Sequence, residues 1–184
     1  MTIQQLPNFL TTLRVLLIPV LIIVYQPTYE YYKELATFVF FIASISDFFD
    51  GYLARKYNVI SNFGKFFDPV ADKLLVAVSL MLIAVAYQNT WVTLASLIII
   101  SREIFMSAFR EWVASLPDNT SIAVSSIGKW KTAFQMLALG GLFWDANVAM
   151  RIIAYGCLLL ATLLAIYSLL SYFRLYSYSL KEKK

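Results

Sequence analysis

Histidine is absent from this sequence, and cysteine occurs once, at Cys157. The first absence removes imidazole as base, nucleophile or metal ligand. The second excludes an intrachain disulfide and argues against a cysteine metal site. Acid–base or metal chemistry must therefore rest mainly on carboxylates. Charge is scarce as well: 14% of residues are Asp, Glu, Lys or Arg and 60% are hydrophobic. A soluble domain is nearer one quarter charged and one half apolar. With a mean hydropathy of +0.70, the sequence points to lipid as its solvent. The formal charge of +4 comes from basic residues near the ends of apolar segments, where they snorkel and set topology. No nucleic-acid motif is evident, and no nucleic-acid partner is expected. Arg14 interrupts the first apolar segment and no small-residue cleavage site follows it, so no cleaved leader is expected.

Six apolar segments remain, and they predict an all-α integral membrane protein, a single domain over 1–184 built as a bundle of six transmembrane helices. The first runs from about Asn8, a candidate cap, to Tyr25, with Pro19 inside it. The second starts near Leu35 and the third covers about Phe66–Tyr87, with Asn62–Lys65 as a turn between them. The fourth covers Trp91 to about Trp112, the fifth Gly128–Trp144 and the sixth Ala149–Tyr172. Thirteen of the fifteen basic residues then fall on one side of the membrane, leaving Lys33 and Arg151 on the other. By the positive-inside rule both termini are expected in the cytoplasm.

The acidic residues are the informative minority. Four of the eleven lie in the stretch from Asp47 to Lys73, between apolar flanks. The uncharged run Leu35–Ser46 spans only about 18 Å as a helix, short of a hydrocarbon core of ~30 Å. The second helix must continue through Asp47 and Asp50, which therefore line a polar cavity at the cytoplasmic side rather than face lipid. Asp47, Asp50, Gly51 and Ala54 fall within an arc of about 100° on a helix, and Asp68 and Asp72 share a face of the next. Two carboxylate pairs meeting in low dielectric repel unless cations or protons intervene. Pure oxygen ligation favours a hard ion, Mg²⁺ or Mn²⁺, and two such ions suit displacement at phosphorus. Gly51 and Ala54 leave room for a ligand against the helix, and Arg55 stands beside the stripe to meet phosphate. The plain alternative is a buried salt-bridge cluster with Arg55, Lys65 and Lys73. Small residues on the same stripe weigh against it. A divalent-cation transporter is a second alternative, but no relay of polar residues reaches the far side.

The pattern Asp47-x2-Asp50-Gly51-x2-Ala54-Arg55-x8-Gly64-x3-Asp68-x3-Asp72 resembles the signature of the CDP-alcohol phosphotransferase family at every fixed position. The resemblance implies six transmembrane helices, a homodimer and metal-dependent transfer from a CDP-linked donor to an alcohol, with release of CMP. It implies metal binding by Asp47, Asp50, Asp68 and Asp72, with Asp72 also the base that deprotonates the acceptor hydroxyl. It assigns Asp50, Gly51, Ala54, Arg55 and Gly64 to the CDP part.

The remaining polar residues bear on the acceptor. Arg102 and Arg110 share a quadrant of the fourth helix, and Glu103 is expected to pair with Arg110. Lys129 and Lys131 point apart on a helix, so one of them joins the arginines. Convergent cations beside a metal site suggest an anionic acceptor such as a phosphate monoester. The segments Pro7-Asn8-x-Leu10-Thr11-x2-Arg14, Arg102-Glu103-x6-Arg110 and Gly128-Lys129-x-Lys131-Thr132 resemble those of the family's bacterial phosphatidylglycerophosphate synthases. That resemblance implies CDP-diacylglycerol as donor and glycerol 3-phosphate as acceptor, in the bacterial inner membrane. It places Arg102, Arg110, Lys129, Lys131 and Thr132 at the acceptor phosphate and Asn8 and Thr11 at the nucleotide. Relatives acting on inositol phosphate, serine or phosphatidylglycerol are the alternative.

Overall fold

The computed structural model describes the backbone of residues 6–28, 30–57, 62–115 and 126–181, with side chains over 9–28, 30–47, 67–113, 115 and 128–173. These residues form six α-helices: α1 (Leu6–Val24), α2 (Tyr32–Tyr57), α3 (Asn62–Tyr87), α4 (Thr90–Ala114), α5 (Ser126–Trp144) and α6 (Val148–Lys181). No strand occurs among the described residues.

Boundaries move in instructive ways. Asn8 lies inside α1, not at its cap, because the helix starts at Leu6. The turn expected at Asn62–Lys65 is the first turn of α3. Pro69 is the eighth residue of that helix, where its ring constrains only the preceding turn. Asn89 caps α4, its side chain accepting from the Trp91 amide at 2.9 Å. That satisfies one of the otherwise free amides of the first turn. The α6 helix continues well beyond Tyr172.

Among the described residues, three helical stretches are long and apolar enough to cross a membrane on length and composition: Phe67–Tyr87, Thr90–Val113 and Val148–Phe173. The apolar stretch of α1, Phe9–Val24, is shorter. The α2 and α5 helices bring ionisable side chains, Asp47 and Lys131, into the bundle. Large apolar side chains such as Leu16, Phe38, Val85, Leu137 and Ile153 project outward, as lipid-facing side chains do.

The most extensive interface joins α5 to α6. The buried faces of the two helices carry small residues, Ala138 on α5 and Ala154, Ala161 and Ala165 on α6, which let two backbones approach closely where lipid supplies no hydrophobic drive. A methyl group at Gly141 would sit 2.9 Å from the Ala154 Cβ, so only glycine fits there. The α1 helix packs on both α2 and α3.

The buried stripe of each helix is apolar for most of its length. In α1 the stripe runs Thr11, Arg14, Ile18 and Leu21, and continues to Tyr25 just past its end, at alternating steps of three and four. In α5 it runs Lys131, Gln135, Ala138, Leu142. Both start polar and turn apolar. The α2 stripe includes Ser46, and α4 and α6 carry Arg102 and Ser168 toward their C-terminal halves. Antiparallel alternation brings all of these to one end of the bundle. The opposite end is closed by an ionic clasp. Asp145, in the α5–α6 turn, accepts from Lys33 Nζ at 2.7 Å and from Arg151 Nε and Nη2 at 2.6 and 2.8 Å. Arg151 also lies over the Tyr87 ring, whose hydroxyl donates to the Leu142 carbonyl. The two basic residues that topology sets apart on this side thus share one carboxylate.

Candidate active site

At the polar end, α1 supplies two contacts. The Thr11 hydroxyl donates to Asp68 Oδ1 on α3. Three residues on, Arg14 is fully buried, and its Nη2 lies 3.0 Å from Asp47 Oδ1 on α2. The guanidinium is not aligned for a directed hydrogen bond, and Nε and Nη1 have no partner within the protein. The contact is therefore an ion pair held by proximity and charge. Asp47 keeps 45% of its side chain exposed, so its oxygens stay open to a further ligand.

Asp72, partly buried one turn beyond Asp68, lies within electrostatic reach of Asp47, Arg14, Lys131 and Lys73. This draws α1, α2, α3 and α5 around one carboxylate. Lys131 is buried and ion-paired to Glu103 Oε1. The same oxygen accepts from Arg102 Nη1 at 3.1 Å. Arg102, also buried, donates through Nε and Nη2 to Ser168 Oγ at 3.2 and 2.8 Å, tying α4 to α6. A recess of about 30 Å³ lies among Asp72, Glu103, Lys131, Thr132 and Gln135. An apolar groove of about 240 Å³ between α3 and α4, lined by Leu74, Ala77, Ile100 and Ile104, shares Lys73, Val76 and Glu103 with that recess.

The residues expected to bind the acceptor phosphate separate clearly. Lys131 and Arg102 are buried and share Glu103, while Lys129 and Arg110 are exposed. Arg110 acts on Arg102 through its charge. Glu103 pairs with Arg102 and Lys131, not with Arg110 as helical spacing suggests. Across a helix interface the nearer cation comes from α5, which spacing within α4 does not reveal. Thr132 is exposed, its hydroxyl donating to the Gly128 carbonyl at 3.0 Å, and it lines the recess. Trp130 is 64% exposed and faces away beside Phe134. Of the residues expected at the nucleotide, Thr11 is in the site. Asn8 lies in α1, Asp50, Gly51, Ala54 and Arg55 in α2, and Gly64 in α3. Their side chains lie outside those described.

Three of the four expected metal ligands, Asp47, Asp68 and Asp72, stand at this end. Among the described residues no three acidic or thiol side chains form a complete metal cluster; Asp50 lies outside that set. The donor chemistry is nevertheless that of a hard divalent ion. It consists of carboxylate oxygens, with one side chain open to solvent and a fixed cation, Arg14, limiting the repulsion. Gln135 and Ser168 are members of the site that the sequence does not single out, and Arg14 is a motif position to which the sequence assigns no role. The available signal was spacing: Arg14 follows Thr11 by three residues, and Gln135 follows Lys131 by four.

Comparison with known proteins identifies the family. The profile of the CDP-alcohol phosphatidyltransferase family matches residues 4–170. A protein of Haemophilus influenzae named CDP-diacylglycerol–glycerol-3-phosphate 3-phosphatidyltransferase is 47% identical over 178 residues, covering 97% of this chain and 96% of its own. Proteins of the same name from Salmonella choleraesuis and Shigella flexneri serotype 5b are 43% and 42% identical over 168 residues, covering 91% of this chain and 92% of theirs. The chain belongs to the CDP-alcohol phosphatidyltransferase family.

Proposed function

We propose that this protein transfers the phosphatidyl group of CDP-diacylglycerol to glycerol 3-phosphate, giving phosphatidylglycerophosphate and CMP. The observation that carries the acceptor assignment is the buried Lys131, set within reach of Asp72 and sharing Glu103 with Arg102. A cation beside a carboxylate base suits a substrate that is an anion at one end and a nucleophile at the other. The relatives' names carry the same acceptor.

In this reaction the primary hydroxyl of glycerol 3-phosphate forms a bond to the phosphorus that bears the diacylglycerol. The bond from that phosphorus to the bridging oxygen breaks, and CMP leaves with the electron pair. Asp72 accepts the hydroxyl proton, since an alcohol is a weak nucleophile until it is deprotonated. Asp47, Asp50, Asp68 and Asp72 would hold the divalent cations, two Mg²⁺ or Mn²⁺. Such ions neutralise the pyrophosphate and the departing CMP. Thr11 fixes Asp68, and Arg14 holds Asp47 against the like charge of Asp72. Asn8, Thr11, Asp50, Gly51, Ala54, Arg55 and Gly64 take the CDP moiety. Lys131 and Arg102 take the acceptor phosphate with Thr132, and Arg110 and Lys129 add positive potential at the rim. The anion displaces the Glu103 carboxylate from its two cations as it binds. The groove between α3 and α4 leads from the lipid side toward Asp72, as a donor with acyl chains requires.

The distribution of basic residues supports six crossings with this end and both termini in the cytoplasm, in a bacterial inner membrane. A homodimer is part of the proposal through family resemblance. The test is CMP release by the purified protein in detergent with CDP-diacylglycerol, Mg²⁺ and single acceptors. Release with glycerol 3-phosphate and not with serine, inositol phosphate or phosphatidylglycerol is expected. Release with serine alone would move the chain to another branch, and no release with any acceptor would overturn the reaction.

A further inference from the structure

The recess beside Asp72 contains a side chain that the proposed reaction leaves unused. Gln135 is 2% exposed, lines the recess, and its amide oxygen has no hydrogen-bond partner within the protein. A buried amide atom without a partner is destabilising and calls for one. The recess, at about 30 Å³, is the size of a single hydroxyl or water rather than of a whole acceptor. Its other walls are the functional ends already placed: Lys131 and Thr132 on one side, Asp72 on another.

Helical geometry orders these groups. Lys131 and Gln135 are four residues apart on α5, one turn along the same buried face. A three-carbon acceptor with its phosphate at Lys131 and its primary hydroxyl at Asp72 must pass its central carbon by the recess. We propose that Gln135 is a specificity-determining residue that hydrogen-bonds the secondary hydroxyl of the acceptor, and so selects a vicinal diol phosphate over a simple alcohol phosphate. A hydroxyl both donates and accepts, so it meets the amide in either orientation. A site built around such a group disfavours an analogue lacking it, because the buried amide is then left without a partner.

This inference rests on the proposed transfer to glycerol 3-phosphate, and the experiment separates the two. CMP release by the full-length protein is measured with glycerol 3-phosphate and with 3-hydroxypropyl phosphate, which keeps the phosphate and primary hydroxyl but lacks the secondary one. The wild type should favour glycerol 3-phosphate by about 10- to 100-fold in kcat/KM. Gln135→Met, close in volume, should bring the two acceptors within about threefold by losing rate with glycerol 3-phosphate alone. Gln135→Asn keeps a polar amide but withdraws it by one methylene, and should give an intermediate ratio. Equal loss with both acceptors in Gln135→Met would overturn the proposal and leave a packing role. So would a wild type that does not distinguish them, or a Gln135→Asn variant with the wild-type ratio. No CMP from the wild type with either acceptor would sink the transfer reaction itself, and this inference with it.

Discussion

Lys129 and Lys131 are chemically identical, two residues apart, and both expected at the acceptor phosphate, yet the structure gives them different environments. Lys131 is buried against Glu103 and within reach of Asp72, while Lys129 is exposed. Lys131→Met removes the cation and keeps most of the apolar stem. A hydrogen bond to a charged partner contributes about 1.5–3 kcal/mol, which corresponds to roughly 10- to 150-fold in kcat/KM for glycerol 3-phosphate. The substitution also leaves Glu103 with Arg102 alone, so an extra negative charge faces the incoming anion and pushes the loss toward the upper end. Lys129→Met removes only an exposed charge and should cost about threefold or less, a loss that added salt erases. The assay is CMP release at saturating CDP-diacylglycerol with varied glycerol 3-phosphate. The KM for the acceptor should carry most of the Lys131 effect, and the donor KM should stay within about twofold. Similar losses from the two variants, or a Lys131→Met variant with normal acceptor KM, would refute the reading.

Three further outcomes follow from the geometry. Asp72→Asn keeps the shape of the side chain but cannot accept the hydroxyl proton, so turnover should fall by about 10²-fold or more. Donor binding by equilibrium titration should be far less affected, and retained turnover would remove Asp72 as base. Gly141→Ala places a methyl 2.9 Å from the Ala154 Cβ and should destabilise by about 1–3 kcal/mol in a detergent melt. Adding Ala154→Gly should recover much of that loss, and additive losses would contradict the close approach. In Asp145, burial pushes the carboxyl up, but hydrogen bonds from Arg151 and Lys33 outweigh it and hold it below the usual carboxylate range. Its contribution is therefore full above the unfolded value of about 3.9 and is lost as pH falls through the lower folded value. Asp145→Asn should lower the melting temperature at pH 7, with the gap to wild type closing below about pH 4. A gap unchanged with pH would show that the carboxylate charge is not what holds the clasp.

Much of this was legible in the sequence. Apolar segments long enough to be helices predict the all-α fold, because in lipid the backbone must satisfy itself. Asp47, Asp68 and Asp72 stand out because intramembrane charge is costly and therefore rare. What stayed hidden are pairings across helices. Arg14 looks like a topology-setting residue near a helix end, yet it is fully buried against Asp47. Only the packing of α1 between α2 and α3 puts it there. Glu103 lies a helical repeat from Arg110, but its cations are its neighbour Arg102 and, from α5, Lys131. Gln135 carries no charge and matches no motif. Its importance comes from burial, an unmet amide oxygen and the recess it lines. Residues 116–125, a polar stretch between α4 and α5, lie outside the described residues.

The central claim is that the carboxylate end joins a phosphatidyl group to the primary hydroxyl of glycerol 3-phosphate. Its most direct test uses radiolabelled glycerol 3-phosphate with CDP-diacylglycerol, Mg²⁺ and the purified protein, followed by organic extraction and mass spectrometry of the labelled lipid. Label should enter the lipid phase one-for-one with CMP released, in a species with the mass of phosphatidylglycerophosphate, and Asp72→Asn should cut it by about 10²-fold or more. CMP release without label in lipid, or label in lipid unaffected by Asp72→Asn, would contradict the account.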